Sequence, residues 1–362
     1  MDIKLIKEQF PIFNHYKKDE FLYLDSASTT QKHQSVLAEL DNYHKKYSAN
    51  IHRSVYPIAE QATNKFEMSR NKVSKFINSE SKEIIFTKNA TEAINLLAYG
   101  WGLDNLKRDD IILISEMEHH SNLIPWQFIA QKTGCHLKYI PMLDDGTLDM
   151  DAFDSLLSNK VKFLSLTHQS NVLGTINPIQ NMIQKAHQHG ALVMIDAAQS
   201  ISHHKIDIKS LDCDFLVFSG HKMFASTGVG VLFGKYKLLE KMSPFMYGGQ
   251  MIDQVSLKKS TWNTVPLKFE AGTPNIAEVI SLGAAIDFIE LLGTVNIKKY
   301  LDEITNSYLK VLKSFSDITI YGKHSICIKE EPHLERGPVI AFNIEGVHPM
   351  IFVKLWGSII YV

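Results

Sequence analysis

The stretch "FLVFSGHKMFASTGVGVLFG" (215–234) joins two apolar runs through a polar turn that carries glycines. The first run, 215–218, has no polar face, the pattern of a strand covered on both sides within a parallel sheet. It ends in Ser219-Gly220-His221-Lys222, and strand-type residues resume at Gly228. A lysine at the mouth of such a strand is either a solvated strand end or a buried amine with chemistry to perform.

Working outward, apolar runs alternate with amphipathic stretches. Strands are predicted at 83–88, 110–115, 136–142, 162–168, 191–198, 215–220 and 228–234. Between them "ATEAINLLAYGWG", "NLIPWQFIAQKTG" and "PIQNMIQKAHQHG" read as helices, each ending at a glycine suited to a helix C-terminus. This β-α alternation implies an α/β fold, a mostly parallel central sheet with helices on both faces. After "KFEAGTPN" (268–275) a long helical stretch leads to another helix around 297–315. Two short strands, 318–322 and 338–344, follow as a smaller α+β domain. The predicted division is an N-terminal segment 1–20 packing with the small domain, a large domain 21–265, and a connecting helix with an incomplete small domain, 266–362.

A chain of 362 residues, 45% hydrophobic and 21% charged, has ample material for a core. With 38 basic against 39 acidic residues, no nucleic-acid or anionic-membrane partner is indicated. The opening "MDIKLIKEQFPIF" is not a signal-peptide pattern, and no apolar run approaches the ~20 residues that span a bilayer. Three isolated cysteines, Cys135, Cys213 and Cys327, fit a reducing compartment, so a cytoplasmic location is expected.

In open α/β sheets, ligands sit outside the carboxyl ends of the strands, and three polar clusters fall there. Ala90-Thr91-Glu92 opens a helix directly after a strand, a natural phosphate cup, though an ordinary threonine cap reads equally well. Asp196 ends an apolar strand, with Gln199 three residues on. A carboxylate there could cap a helix, bind a metal or pair with a cationic ligand nitrogen. Ser219, His221 and Lys222 form the third. Phosphate cup, buried acid, then lysine is the order used by enzymes built on pyridoxal phosphate. His119 and His120 mark a further strand end, where an imidazole could stack on a pyridine ring. Adjacent histidines make a weak metal site, so none is assigned. His203-His204 has the same spacing and reads as surface.

Taken together, "YLDSAST", His52-Arg53, "NATEAINL", "MEHHSNLIPW", "THQSNVLGTINP", "IDAAQS", "FSGHKMF", "YGGQMI" and "FEAGTPN" resemble the cysteine desulfurases of the SufS/CsdA group, within the class V aminotransferases. The resemblance implies the pyridoxal-phosphate-dependent transferase fold type I. It also implies conversion of L-cysteine to L-alanine, with sulfur passed on as a persulfide for Fe–S cluster assembly. By motif, Lys222 matches the Schiff-base lysine, Asp196 the partner of the ring nitrogen, and Gln199 the contact to the phenolic oxygen. His119 matches the ring-stacking residue. Ala90, Thr91, Ser219 and His221 match the phosphate cup, and Thr273 a phosphate contact made across a homodimer interface. Asn171 falls at a substrate or cofactor contact and His52 in a substrate-side loop. A sulfur acceptor of the SufE/SufU type is the implied protein partner, and L-selenocysteine an implied second substrate.

The resemblance weakens toward the C-terminus. Family members carry, beyond "GVHP", an "RxGxxCA" loop whose cysteine takes the sulfur, and a later arginine that binds the substrate carboxylate. Here "IEGVHPMIFVKLWGSIIYV" keeps "GVHP" and then diverges. The implied chain is a shortened member with impaired turnover. A catalytically inactive cofactor-binding dimer partner, or selenocysteine lyase chemistry, is the alternative. Cys135 and Cys213 read as core residues, and Cys327 sits in an extended loop.

Overall fold

The computed structural model describes residues 2–16, 22–323 and 336–349. Its centre is a seven-stranded sheet of β1 (Ile84–Thr87), β2 (Ile111–Ser115), β3 (His136–Ile140), β4 (Val161–Thr167), β5 (Leu192–Asp196), β6 (Phe215–Ser219) and β7 (Gly230–Gly234). The spatial order is β1-β7-β6-β5-β4-β2-β3. Only β7 runs against its neighbours, β1 and β6; the remaining pairs are parallel. Every residue of β2, β6 and β7 is buried, as their unbroken apolar runs require, because helices cover both faces. Two apolar layers result: Leu113, Leu164, Ile195 and Phe218 on one face, Ile114, Phe163, Met194 and Val217 on the other.

Two predicted helix ends hold. Gly134 (φ +77°) closes the helix Ile124–Thr133, and Gly190 (φ +78°) follows Ile179–Gln188, left-handed positions that glycine takes without a Cβ penalty. Gly102 does not end its helix. Its φ is −62°, and the chain runs from Ala90–Leu97 through a wide π turn to Asn105, with Gly102 buried against Ile129.

A hairpin that sequence patterning did not predict, β8 (Ile252–Val255) with β9 (Ser260–Trp262), stands apart from the main sheet. The long helix Ile276–Leu292 packs on the helices Gln34–Lys46 and Pro57–Phe76. It continues through Thr294–Leu312 to the antiparallel pair β10 (Ile318–Tyr321) and β11 (Ala341–Ile344). Phe10, near the N-terminus, wedges between Phe224 and Phe288, at 5.9 and 5.7 Å between ring centres.

Candidate active site

The carboxyl ends of β1, β2, β4, β5 and β6 open into one cleft of about 450 Å³, within the range of small-molecule sites. Ala90, Thr91, His119, Asn171, Asp196, Gln199, Ser219, His221 and Lys222 all line it. His52 and Thr273 do not. His52 is held outside by Glu67 (3.0 Å) and Gln250 (3.2 Å), and Thr273 borders a separate hollow with Lys88 and Glu92.

Asp196 is 5% exposed. Among the described residues one hydrogen bond reaches its carboxylate, from Ala198 N–H to Oδ1 (2.9 Å), and none reaches Oδ2. Burial raises its carboxyl above the ordinary value, and the charges of Lys222 and His119 only partly oppose that. Of the three uses open to it, the first, capping a helix, does not apply, because the Ala198 N–H that it accepts lies in a turn and not at a helix start. A buried, under-satisfied acid suits a cationic nitrogen.

Lys222 sits on the 3₁₀ turn Gly220–Lys222 that follows β6. Burial lowers its ammonium below the usual lysine value, against the pull of Asp196. The opening alternative is therefore resolved: the amine is half-buried in the cleft, not a solvated strand end. The turn is tied down by the chain's first loop. His221 C=O accepts from Thr30 N–H (2.9 Å), Thr30 Oγ1 (3.0 Å), Thr29 Oγ1 (3.2 Å) and Lys32 Nζ (3.2 Å). Lys32, lowered to about 8 by burial, also donates to Thr30 C=O.

The helix cap after β1 is Asn89, whose Oδ1 accepts from Glu92 N–H (2.9 Å), so the threonine-cap reading of Thr91 is corrected. Thr91 N–H and hydroxyl have no partner among the described residues and face the cleft, the requirement for an anion cup. Ser219 Oγ accepts from Ala90 N–H (2.9 Å), binding β6 to that helix start. Gly230 permits the close approach: a Cβ there would lie 2.5 Å from the Asn89 backbone. Gln199 Nε2 donates to Ala27 C=O (2.8 Å), and its second N–H has no described partner.

Several cleft residues escaped the sequence reading. Asp25, Ala27 and Ser28 line it from the first loop, and Thr167 and Gln169 from the end of β4. The motifs "YLDSAST" and "THQSNVLGTINP" contained them, but no local pattern singled them out. Glu118 is another. Its carboxylate accepts from Ser115 Oγ (2.5 Å), Asn122 Nδ2 (2.6 Å) and Thr167 N–H (2.9 Å). Burial nevertheless pushes it up to about 7, and Asp196 adds to the rise.

The histidine pair His203-His204 is not at the surface as predicted. His203 is 6% exposed, its Nε2 bonded to Gln169 Oε1 at 2.9 Å and its ring 4.9 Å from that of His204. The turn after Gln199 folds beneath the strand ends, and polar partners there satisfy an imidazole kept neutral by burial. Cys135 and Cys213 are buried in the two core layers and line no part of the cleft; Cys327 lies outside the described residues.

Among known proteins, the class-V aminotransferase family model matches residues 22–357. A probable cysteine desulfurase of Halalkalibacterium halodurans is 45% identical over 351 residues, 96% of this chain and 84% of the relative. The cysteine desulfurase of Escherichia coli K12 is 43% identical over 347 residues, 95% and 83% of the two chains. The crystal structure of the cysteine desulfurase CsdA from E. coli, in its S-sulfonic acid form, superposes with a TM-score of 0.89 at 32% identity, covering 99% of this chain and 86% of that one.

Proposed function

The chain belongs to the class-V aminotransferase family, and from that premise we propose that it holds pyridoxal 5′-phosphate in the β1–β6 cleft and acts on L-cysteine as a cysteine desulfurase. The observation that carries this is the meeting of Lys222, Asp196 and His119 in one cleft beside the open helix start at Thr91. The residues fit the group: an under-satisfied buried acid for a protonated ring nitrogen, a depressed amine for an aldehyde, and unpaired donors for a phosphate.

When bound, the cofactor supplies an electron sink for the pair left at a substrate α-carbon. The protein supplies the rest. Asp196 would hold a proton at the ring nitrogen by electrostatic pairing. Lys222, depressed by burial, presents its amine for covalent anchoring and afterwards for moving a proton. With the cofactor bound, His119 would cover one face of the ring, Gln199 would offer its spare N–H to the phenolic oxygen, and Thr91, Ala90, Ser219 and His221 would hold the phosphate. Asn171 faces the substrate side. The net reaction joins L-cysteine and a thiol, giving L-alanine and a persulfide that a SufE/SufU-type acceptor would relieve for Fe–S cluster assembly. L-Selenocysteine fits the same scheme.

In this reading the protein is a cytoplasmic homodimer. Thr273 would serve the partner's site, His52 lies in a substrate-side loop, and residues 21–265 form the cofactor domain between the 1–20 segment and the 266–362 unit. A second reading is favoured by the thiols. Neither Cys135 nor Cys213 reaches the cleft, so the described residues include no sulfur-accepting nucleophile, and losing one removes orders of magnitude in rate. A slow or inactive cofactor-binding dimer partner is therefore the alternative.

One experiment separates these. Protein mixed with pyridoxal phosphate, reduced with borohydride and digested, should carry a pyridoxyl group on the Lys222 peptide, and Lys222→Ala should abolish it. An unmodified Lys222 peptide overturns the cofactor reading. Alanine release from cysteine, measured on the same preparation, decides between desulfurase and inactive partner.

A further inference from the structure

His119 stands in "SEMEHHSN" (115–122), on a turn with no regular strand or long helix to hold it. Its own anchors are local: Nδ1 meets Ser121 Oγ at 2.8 Å and Ser121 N–H at 3.1 Å. Those bonds set the ring relative to its turn but do not attach the turn to the sheet. The residue immediately before it does.

Glu118 turns inward where His119 turns out. One carboxylate oxygen, Oε1, accepts from Ser115 at the end of β2 and from the Thr167 backbone at the end of β4. The other, Oε2, accepts from Asn122 on the far side of the turn. Asn122 cannot flip its amide, because its Oδ1 already accepts from Trp126 Nε1 (3.0 Å) and Ser165 Oγ (2.6 Å), both fully buried. The network therefore has one polarity, with the acceptor at 118 and the donor at 122. It links two strand ends, the turn and the helix Ile124–Thr133.

We propose that Glu118 is a positioning residue that fixes the His119 imidazole over the cleft by clamping its turn to the ends of β2 and β4. The inference rests on the reading of the cleft as a pyridoxal-phosphate site for its catalytic meaning, but its structural content is independent of any cofactor.

The fixed polarity supplies the test. In Glu118→Gln the new amide N–H₂ faces either the Asn122 N–H₂ or the Thr167 N–H, donor against donor in both orientations. In the double variant E118Q/N122D the acceptor and donor are exchanged, every bond can re-form, and the negative charge moves by one residue contact. Imidazole resonances of ¹⁵N-histidine-labelled protein, with His119 identified by its loss in His119→Asn, report the ring directly. E118Q should displace the His119 signals and weaken pyridoxal phosphate binding about tenfold. The double variant should return both toward wild type. E118Q that loses thermal stability yet leaves the His119 signals and cofactor affinity unchanged overturns the proposal, since that is the behaviour of a merely structural acid. If E118Q does not fold, displaced His119 signals in a folded double variant overturn it as well. A wild-type protein that binds no pyridoxal phosphate refutes the cofactor reading instead, and the resonance comparison in the free protein still decides the role of Glu118.

Discussion

At the scale of single residues, the cleft depends on two depressed or frustrated charges. Lys222 is kept below the usual lysine value by burial, with Asp196 pulling the other way. Its reductive alkylation by a small aldehyde should accordingly reach half-maximal rate at a pH below 10.5 in the cofactor-free protein. Asp196→Asn removes the opposing pull, so the same profile should shift to still lower pH; mass-spectrometric labelling across pH measures both. The substitution should also weaken pyridoxal phosphate by about 2 kcal/mol, ~30-fold, the worth of one charge-assisted hydrogen bond. These residues were legible in the sequence because each is a polar group ending an otherwise apolar run. Glu118 was not, since its three donors lie at 115, 122 and 167 and only folding brings the last of them near. His203 was misread for a related reason. A histidine pair in a polar stretch looks solvated until Gln169, 34 residues earlier, closes over it.

Among the secondary elements, the helix Ala90–Leu97 and strand β7 form the unit that borders the proposed phosphate end of the cleft. Gly230→Ala would put a methyl group 2.5 Å from the Asn89 backbone, an overlap that only displacement of the helix start can relieve. A destabilisation of about 1–3 kcal/mol is expected from such overpacking, read as a lowered urea midpoint. Cofactor affinity should fall while Lys222 stays reactive toward the small aldehyde. The seven main strands were each predicted within two residues of their observed bounds: those covered on both faces carry a strong apolar signal, and β3, the largely exposed edge strand, was still marked by its β-type residues. The hairpin β8–β9 was missed: its strands are four and three residues long and largely exposed, so neither burial nor periodicity marks them. Helix termination at Gly102 failed because a buried glycine with ordinary helical φ serves packing against Ile129 and not capping.

For the whole molecule, acid stability follows from the buried imidazoles. Burial lowers His203 from 6.5 to about 3 and His168 to about 4. Between those values and 6.5 the unfolded chain binds more protons than the native one, so stability is full above about 6.5 and declines as pH falls toward 3. Glu118, raised from 4.5 to about 7, acts with the opposite sign: its contribution is full below 4.5 and is lost as pH rises through 7. With His204, lowered to about 2, three histidines outweigh one acid, so urea midpoints should drop between pH 7 and pH 5. In His203→Gln the drop should shrink by an amount on the order of 1–2 kcal/mol. The bonds from Thr29, Thr30 and Lys32 to the carbonyl of His221 join positions about 190 residues apart in the chain, and β1 finds its neighbour β7 only across residues 84 to 233. During synthesis, then, the N-terminal third emerges from the ribosome without its mates. A nascent chain halted before residue 233 would therefore expose the apolar edge of β1 to chaperones.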